Sequence, residues 1–139
     1  MITDPRIRLA NELFEAWSSG DADAPQRFFH PDGVLADIVG GEHHGWPAIR
    51  AFFSGGIAKW PDLVLVPEDH WTNDGGVALS WTMSATVPEG SSLGAGAVGC
   101  RWKSPGMTWL SIVDGRVRRE VDYHDSGAVR SSLGLGAAQ

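Results

Sequence analysis

The sequence predicts an α+β fold in which helices pack against one face of a curved antiparallel sheet. Helical periodicity dominates the stretch before Pro61, and the chain from there to Tyr123 reads as strands separated by turn residues. Helices first and strands after is the α+β order, not the alternation of a parallel sheet. The dipeptide Asp114-Gly115, a strong hairpin signal, sits between the last two strand-like runs and makes them antiparallel neighbours. With 139 residues and no internal repeat, the chain is expected as one domain over 1–139, with 134–139 as a frayed tail.

The first helix opens at Thr3 or Asp4 as cap, with Pro5 in its first turn and Ile7, Leu9/Ala10, Leu13, Phe14 and Trp17 at helical spacing. Ser18-Ser19-Gly20 ends it. A short second helix starts at Asp23 and carries Phe28-Phe29. His30-Pro31-Asp32-Gly33 reads as a turn, Val34–Val39 as a strand and Gly40–Gly45 as a loop. Trp46–Trp60 is mostly helical, with Gly55-Gly56 as a possible break. Strands follow at Leu63–Thr72, bulged near Pro67, and at Val77–Val87. Pro88–Gly96 is a Gly/Ser-rich loop, Gly99–Val113 a strand broken near Pro105-Gly106, and Arg116–Tyr123 closes the sheet. Asp125–Leu133 reads as a short terminal helix.

A net charge of −6 argues against nucleic acid and anionic membranes as partners. The single cysteine, Cys100, excludes an internal disulfide and reads as a small buried hydrophobe. A reducing, cytoplasmic location fits, since the N-terminus lacks the apolar core of a signal peptide and no run approaches a membrane span. His43-His44 is an adjacent pair rather than an i,i+4 pair, so neither a metal nor another cofactor is expected. His30 is read as a turn residue and His70 as a sheet-surface residue.

The chemistry is concentrated in RVRREVDYHD, Arg116–Asp125. Side chains alternate along a strand, so Glu120, Asp122 and His124 share one face and Val117, Val121 and Tyr123 the other. Two carboxylates and an imidazole on one face suit a pocket that moves protons. A carboxylate in an apolar pocket is pushed up by desolvation and becomes an acid or base near neutral pH. Asp122 is the first candidate, with His124 sharing its proton or orienting the substrate. Glu120 is as open to a salt bridge with Arg101, Arg118 or Arg119 as to chemistry. Asp37 shares a face with Leu35 by period two, and either enters the pocket or caps the turn before Gly40-Gly41. If both aspartates enter one pocket, their titrations are pushed apart. Across the closing hairpin, a two-residue turn pairs Val113 with Arg116, hence Trp109 with Glu120 and Met107 with Asp122. Met107 and Trp109 are then an apolar wall beside the carboxylate, or simply core.

Three landmarks carry a family resemblance over nearly the whole chain. They are Phe28-Phe29-His30-Pro31-Asp32-Gly33-Val34-Leu35-Ala36-Asp37, Gly45-Trp46-Pro47-Ala48-Ile49-Arg50-Ala51-Phe52-Phe53, and Asp114-Gly115-Arg116-Val117 through Asp122-Tyr123-His124-Asp125. In this order they resemble the SnoaL-like polyketide cyclases and limonene epoxide hydrolases of the nuclear transport factor 2-like superfamily. The resemblance implies a cone-shaped half-barrel with a deep pocket between sheet and helices. It implies that Asp122 is the last-strand acid or base, and that Asp37 holds the facing first-strand position. The hydrolases' Arg-x-Asp pair on the long central strand falls on Thr82 and Ser84, so their water-activating set is incomplete. Thr82 and Ser84 are expected to point inward and hydrogen-bond a substrate oxygen, with Trp81 and Met83 facing the helices or a partner subunit. The family also implies a homodimer through the outward sheet face.

The expectation is a cofactor-independent enzyme doing acid–base chemistry on a small hydrophobic, oxygenated molecule: polyketide-type cyclisation, isomerisation or dehydration. Asp122, Asp37 and His124 are its expected catalytic groups. Leu35, Thr82, Ser84, Met107, Trp109 and Glu120 are its expected substrate contacts. A non-catalytic binding or accessory domain that uses the same pocket is the alternative, and an epoxide hydrolase with a rebuilt water site a weaker one.

Overall fold

A computed structural model describes residues 3–136. The elements in chain order are α1 (Pro5–Trp17), a 3-10 turn (Ala24–Phe28), β1 (Phe29–Asp37), β2 (Gly41–His44) and α2 (Trp46–Lys59). β3 (Val64–Asn73), β4 (Gly76–Thr86), a 3-10 turn (Ala95–Ala97), β5 (Arg101–Val113), β6 (Arg116–His124) and α3 (Gly127–Ser132) follow. One six-stranded sheet has the order β2-β1-β6-β5-β4-β3. β1 and β6 are parallel and every other pair is antiparallel.

α1 begins where Asp4 accepts the Arg6 backbone N–H at 2.9 Å, with Pro5 in the first turn. Its apolar stripe, Ala10, Leu13, Phe14, Ala16 and Trp17, is buried against the sheet. α2 follows Gly45, whose φ of 82° favours glycine, and buries Trp46, Ile49 and Phe53. It runs through Gly55-Gly56 without a break. These aromatics, with Leu35, Val77, Leu79, Trp81, Leu110 and Val117 of the sheet, form the main core. Ala85, Val87, Ala97 and Trp102 form a second cluster beneath the β4–β5 connection and α3.

Several local expectations change. Gly41–His44, expected as loop, is an edge strand paired with β1. His30–Gly33 is an irregular excursion within β1, whose pairing with β6 breaks between Phe29 and Val34. β5 is continuous through Pro105-Gly106. β6 pairs with it only as far back as Gly106, so at Pro105 the strand has one neighbour and tolerates a missing N–H. Cys100 is exposed, not buried, because it lies at the end of the β4–β5 connection, outside both apolar clusters. His70 reaches back to α1, its Nε2 2.8 Å from Asn11 Oδ1. Of the tail expected to fray, Gly134 and Leu135 bond back to α3 at 3.1 and 2.9 Å, while 137–139 lie outside the described residues. Among the described residues no helix is long and apolar enough to cross a membrane.

The largest correction is in β6. Its register with β5 slips between Ser111 and Ile112, leaving Arg118 as an extra residue. The bulge is seated on the β1 excursion. Arg118 pairs with Asp32, and the Gly33 Cα lies so close to β6 that an added Cβ would sit 3.3 Å from the Val117 carbonyl oxygen. Because the side-chain period is two, one extra residue flips every side chain beyond it. Val117 therefore points into the core, and so do Glu120, Asp122 and His124 on the far side of the bulge.

Candidate active site

The concave side of the sheet and the helices enclose a cavity of about 750 Å³. Parallel pairing of β1 with β6 sets Leu35 beside Glu120 and Asp37 beside Asp122. Asp37, Glu120, Asp122 and His124 all line the cavity, together with Leu35. The wall around them is largely apolar and includes Phe53, Trp60, Met83 and Trp102.

Each acid has an identifiable partner. Thr108, opposite Asp122 on β5, donates its hydroxyl to Asp122 Oδ1 at 2.6 Å. The same oxygen of Thr108 accepts the Trp81 indole N–H at 2.9 Å. Trp81 reaches it by lying across Gly106, where an added Cβ would fall 2.3 Å from the indole ring. Trp17 donates its indole N–H to Glu120 Oε1 at 3.1 Å, and the Glu120 and Asp122 carboxyls bond each other. Beside them, His124 Nε2 lies 3.0 and 3.1 Å from the two oxygens of Asp37. Asp37 also accepts the backbone N–H of Val39 at 2.8 Å and of Gly40 at 2.7 Å. It therefore caps the turn and faces the pocket at once.

These partners distribute the protons. Burial pushes the Glu120 carboxyl well above its usual range, and the neighbouring Asp122 charge pushes it further. Burial also raises Asp122, opposed by the hydrogen bonds it accepts from Glu120 and Thr108. Those two donors favour the anion on Asp122, so Glu120 holds the shared proton. Burial works against the charge on Asp37, but His124 and the two backbone N–H groups outweigh it and hold the carboxyl below the usual range. The hydrogen bond to Asp37 raises His124 above its ordinary value. The site thus combines an Asp37–His124 ion pair with a Glu120–Asp122 acid pair. Among the described residues no group of three or more His, Cys, Asp or Glu is placed to hold a metal ion.

Four expected substrate contacts are elsewhere. Met107 pairs with Tyr123 and Trp109 with Val121, on the outer face, because the Arg118 bulge shifts the hairpin by one residue. Met107 is 43% exposed. Thr82 and Ser84 also face outward, where Thr82 donates to Glu68 at 3.0 Å and Ser84 accepts from Arg101 at 2.9 Å. The apolar residues that alternate with them, Trp81 and Met83, take the inward positions because that side of β4 meets the core. Glu120 has no arginine: Arg101, Arg118 and Arg119 pair with Asp62, Asp32 and Glu42. Glu120 is 2% exposed. His43 stacks on Phe52 with ring centroids 4.3 Å apart, and His44 faces Glu42 at 3.2 Å. His30 Nε2 lies 2.6 Å from the Val113 carbonyl oxygen. Sequence reasoning missed Thr108, Trp17 and Trp81 as members of the acid network. For Trp81 a signal existed, since Val77, Leu79, Trp81, Met83 and Ala85 alternate with polar Ser80, Thr82 and Ser84.

The model of the SnoaL-like domain matches residues 10–120. The chain belongs to the SnoaL-like family. A candidate polyketide cyclase from Acidithiobacillus ferrooxidans superposes on this SnoaL-like protein with a TM-score of 0.84, at 20% identity over 99% of both chains. AclR from Streptomyces galilaeus, a candidate hydroxylase, gives 0.77 at 26% identity over 96% of this chain and 87% of its own. A hypothetical protein of ketosteroid isomerase-like fold from Catenulispora acidiphila, in complex with trimethylamine, gives 0.79 at 16% identity over 92% and 93%. No curated protein matches the SnoaL-like sequence.

Proposed function

We propose that this SnoaL-like protein is an acid–base enzyme acting on a hydrophobic, oxygenated small molecule by proton transfer at carbon next to a carbonyl. The observation that carries the reading is a carboxylate, Asp122, bonded to a proton-holding carboxyl, Glu120, inside a largely apolar cavity. In the step, Asp122 takes the proton from the carbon. The C–H electron pair moves toward the carbonyl oxygen, and the developing enolate is met by protonated His124, two residues on along the inward face. Asp37 holds the imidazole and its charge. Return of the proton from Asp122 to another carbon gives isomerisation, its delivery to a departing β-hydroxyl releases water and gives dehydration, and its delivery to the alkoxide formed when the enolate attacks a second carbonyl completes polyketide-type cyclisation. The likeness in fold to a candidate polyketide cyclase supports the last. On β4 the residues on the core side are Val77, Leu79, Trp81, Met83 and Ala85, which supplies no Arg-x-Asp pair for epoxide hydrolysis. Val66, Trp71, Met107 and Tyr123 stand exposed and support a homodimer through the outer sheet face.

The test uses β-tetralone in deuterated buffer, with exchange of its α-protons followed by NMR. The protein is expected to accelerate exchange, and Asp122→Asn to lose about 10²–10⁴-fold of that acceleration while still binding the ketone. A fully active Asp122→Asn overturns the mechanism, and binding without exchange by the unaltered protein favours a non-catalytic binding domain.

A further inference from the structure

Two indole groups end the acid network, and an indole N–H can only donate. Trp17 gives its proton to Glu120 Oε1 at 3.1 Å, and Trp81 gives its own to Thr108 Oγ1 at 2.9 Å. Thr108 is 1% exposed, so bulk water does not compete for its hydroxyl. A hydroxyl carries one proton. With the Trp81 proton already aimed at the Thr108 oxygen, the hydroxyl proton goes to Asp122 Oδ1, 2.6 Å away. The bonds therefore run one way, from Trp81 through Thr108 to Asp122. Asp122 receives, and the proton it shares with Glu120 stays on Glu120.

A glycine seats Trp81 for this role. Gly106 lies directly opposite Trp81 in the β4–β5 pair. It is not one of the glycines with positive φ, so its backbone does not require the missing side chain. Its bareness serves the indole instead, because a Cβ there would collide with the ring. Lying across Gly106, the indole reaches Thr108, two residues along β5 on the same face. The Trp81 ring also lies 6.1 Å from the His124 imidazole, so one side chain touches both halves of the site. The titratable groups around Asp122 are Glu120 and His124 on its own strand and Asp37 on β1, with Asp125 acting on His124. Lys59 of α2 and Arg130 of α3 line the same cavity. β4 and β5 line it only with Trp81, Met83 and Trp102, so what they bring to Asp122 is a chain of neutral donors.

We propose that Trp81, seated on Gly106, is a positioning residue: it commits the Thr108 proton to Asp122 and so makes Asp122 the anionic partner of the acid pair. Without the indole donor the hydroxyl is free to turn. It is also a weaker donor, since hydrogen bonds in a chain reinforce one another. That Asp122 then serves as the base toward carbon rests on the acid–base reading above. The wiring from Trp81 to Asp122 does not depend on turnover and is tested without it.

NMR of the full chain, following the indole N–H groups and the carboxyl carbons through a pH titration, tests it. The Trp81 N–H resonance is expected to move with the first ionisation of the Glu120–Asp122 pair. Trp102, whose buried Nε1 has no hydrogen-bond partner among the described residues, is the internal control and is expected to stay flat. Thr108→Val is expected to uncouple the Trp81 resonance and to raise that ionisation by about 1 in pH. Trp81→Phe keeps a ring but loses the donor, and is expected to raise it by about 0.3–0.5 in pH. Thr108→Ser keeps the hydroxyl and is expected to titrate like the unaltered protein. The acid limb of β-tetralone exchange is expected to move with the carboxyl titration in each variant. A Trp81 resonance that stays flat while the pair ionises overturns the proposal and needs no variant to fold. An unmoved titration in Trp81→Phe overturns it as well. If the unaltered protein exchanges no β-tetralone protons but its Trp81 resonance follows the pair, the acid–base reading falls and the positioning of the proton stands.

Discussion

β4–β5 and β5–β6 are neighbouring antiparallel pairs in one sheet, and they differ in one residue. β4 and β5 keep a single register from Gly76 opposite Ser111 to Thr86 opposite Arg101. β5 and β6 leave a tight turn, with φ of 52° at Asp114 and 76° at Gly115, and slip after two pairs. In the regular pair, apolar and polar residues alternate as the pattern dictates, and the inward side is core. In the slipped pair, the face changes at Arg118, so a strand that begins by burying Val117 goes on to bury Glu120 and to aim Asp122 and His124 at the cavity. A bulge here re-aims three ionisable side chains at once, which regular pairing from that turn does not do.

Removing the bulge is the harshest test of this contrast. Deletion of Arg118 is expected to turn Glu120, Asp122 and His124 outward or to misalign Val117, at a cost on the order of 4–5 kcal/mol or more. Thermal melts and solubility report it. A folded deletion variant with unaltered β-tetralone exchange would show that the bulge does not set the site.

Next comes the polar contact that the bulge creates across the hairpin. Thr108→Val removes both the donor to Asp122 and the acceptor for Trp81, with an expected loss of about 2–4 kcal/mol in urea unfolding. A loss below about 1 kcal/mol would mean that water replaces the hydroxyl.

Glu120→Gln keeps a donor for Asp122 and an acceptor for Trp17, and changes mainly the pH dependence. The folded-state pKa of Glu120 lies above its unfolded value, so its contribution is full below about pH 4.5 and is lost as pH rises toward the folded value. The unaltered protein is therefore expected to lose stability as pH rises above about 4.5 toward the raised folded-state value, and the Gln variant to lose less. Equal slopes in the two proteins would place the shared proton elsewhere. At the small end is Thr82→Val, on the outer face of the regular pair. Its bond to Glu68 is solvent-exposed, and the expected change is within about 0.5 kcal/mol.

Much of the architecture is legible in the amino-acid order alone. Asp4-Pro5 starts α1 and Asp114-Gly115 makes the last turn, because capping and left-handed turn geometry depend on a few adjacent residues. The grouping of Glu120, Asp122 and His124 is legible for a similar reason: alternation within one uninterrupted stretch is local. Their partners are not. Counting back from the turn reaches Met107 and Trp109, because a bulge leaves no mark in a strand otherwise rich in charged residues. A count carried over from the resemblance turns Thr82 and Ser84 inward, against the plain alternation of β4, and the alternation is right.

By itself the sequence determined an α+β chain with helices before strands and a last strand bearing two acids and a histidine on one face, and it left Asp37 open between pocket and turn cap. Only the tertiary structure decided which way that face points, that Glu120 is a buried acid bonded to Trp17 and Asp122 rather than half of a surface ion pair, and that Thr108 is the residue across from Asp122. The physical reason is that periodicity and turn chemistry act over a few residues. Register, burial and proton distribution depend on a bulge seated against a distant strand and on charges brought together from β1, β5, β6 and α1.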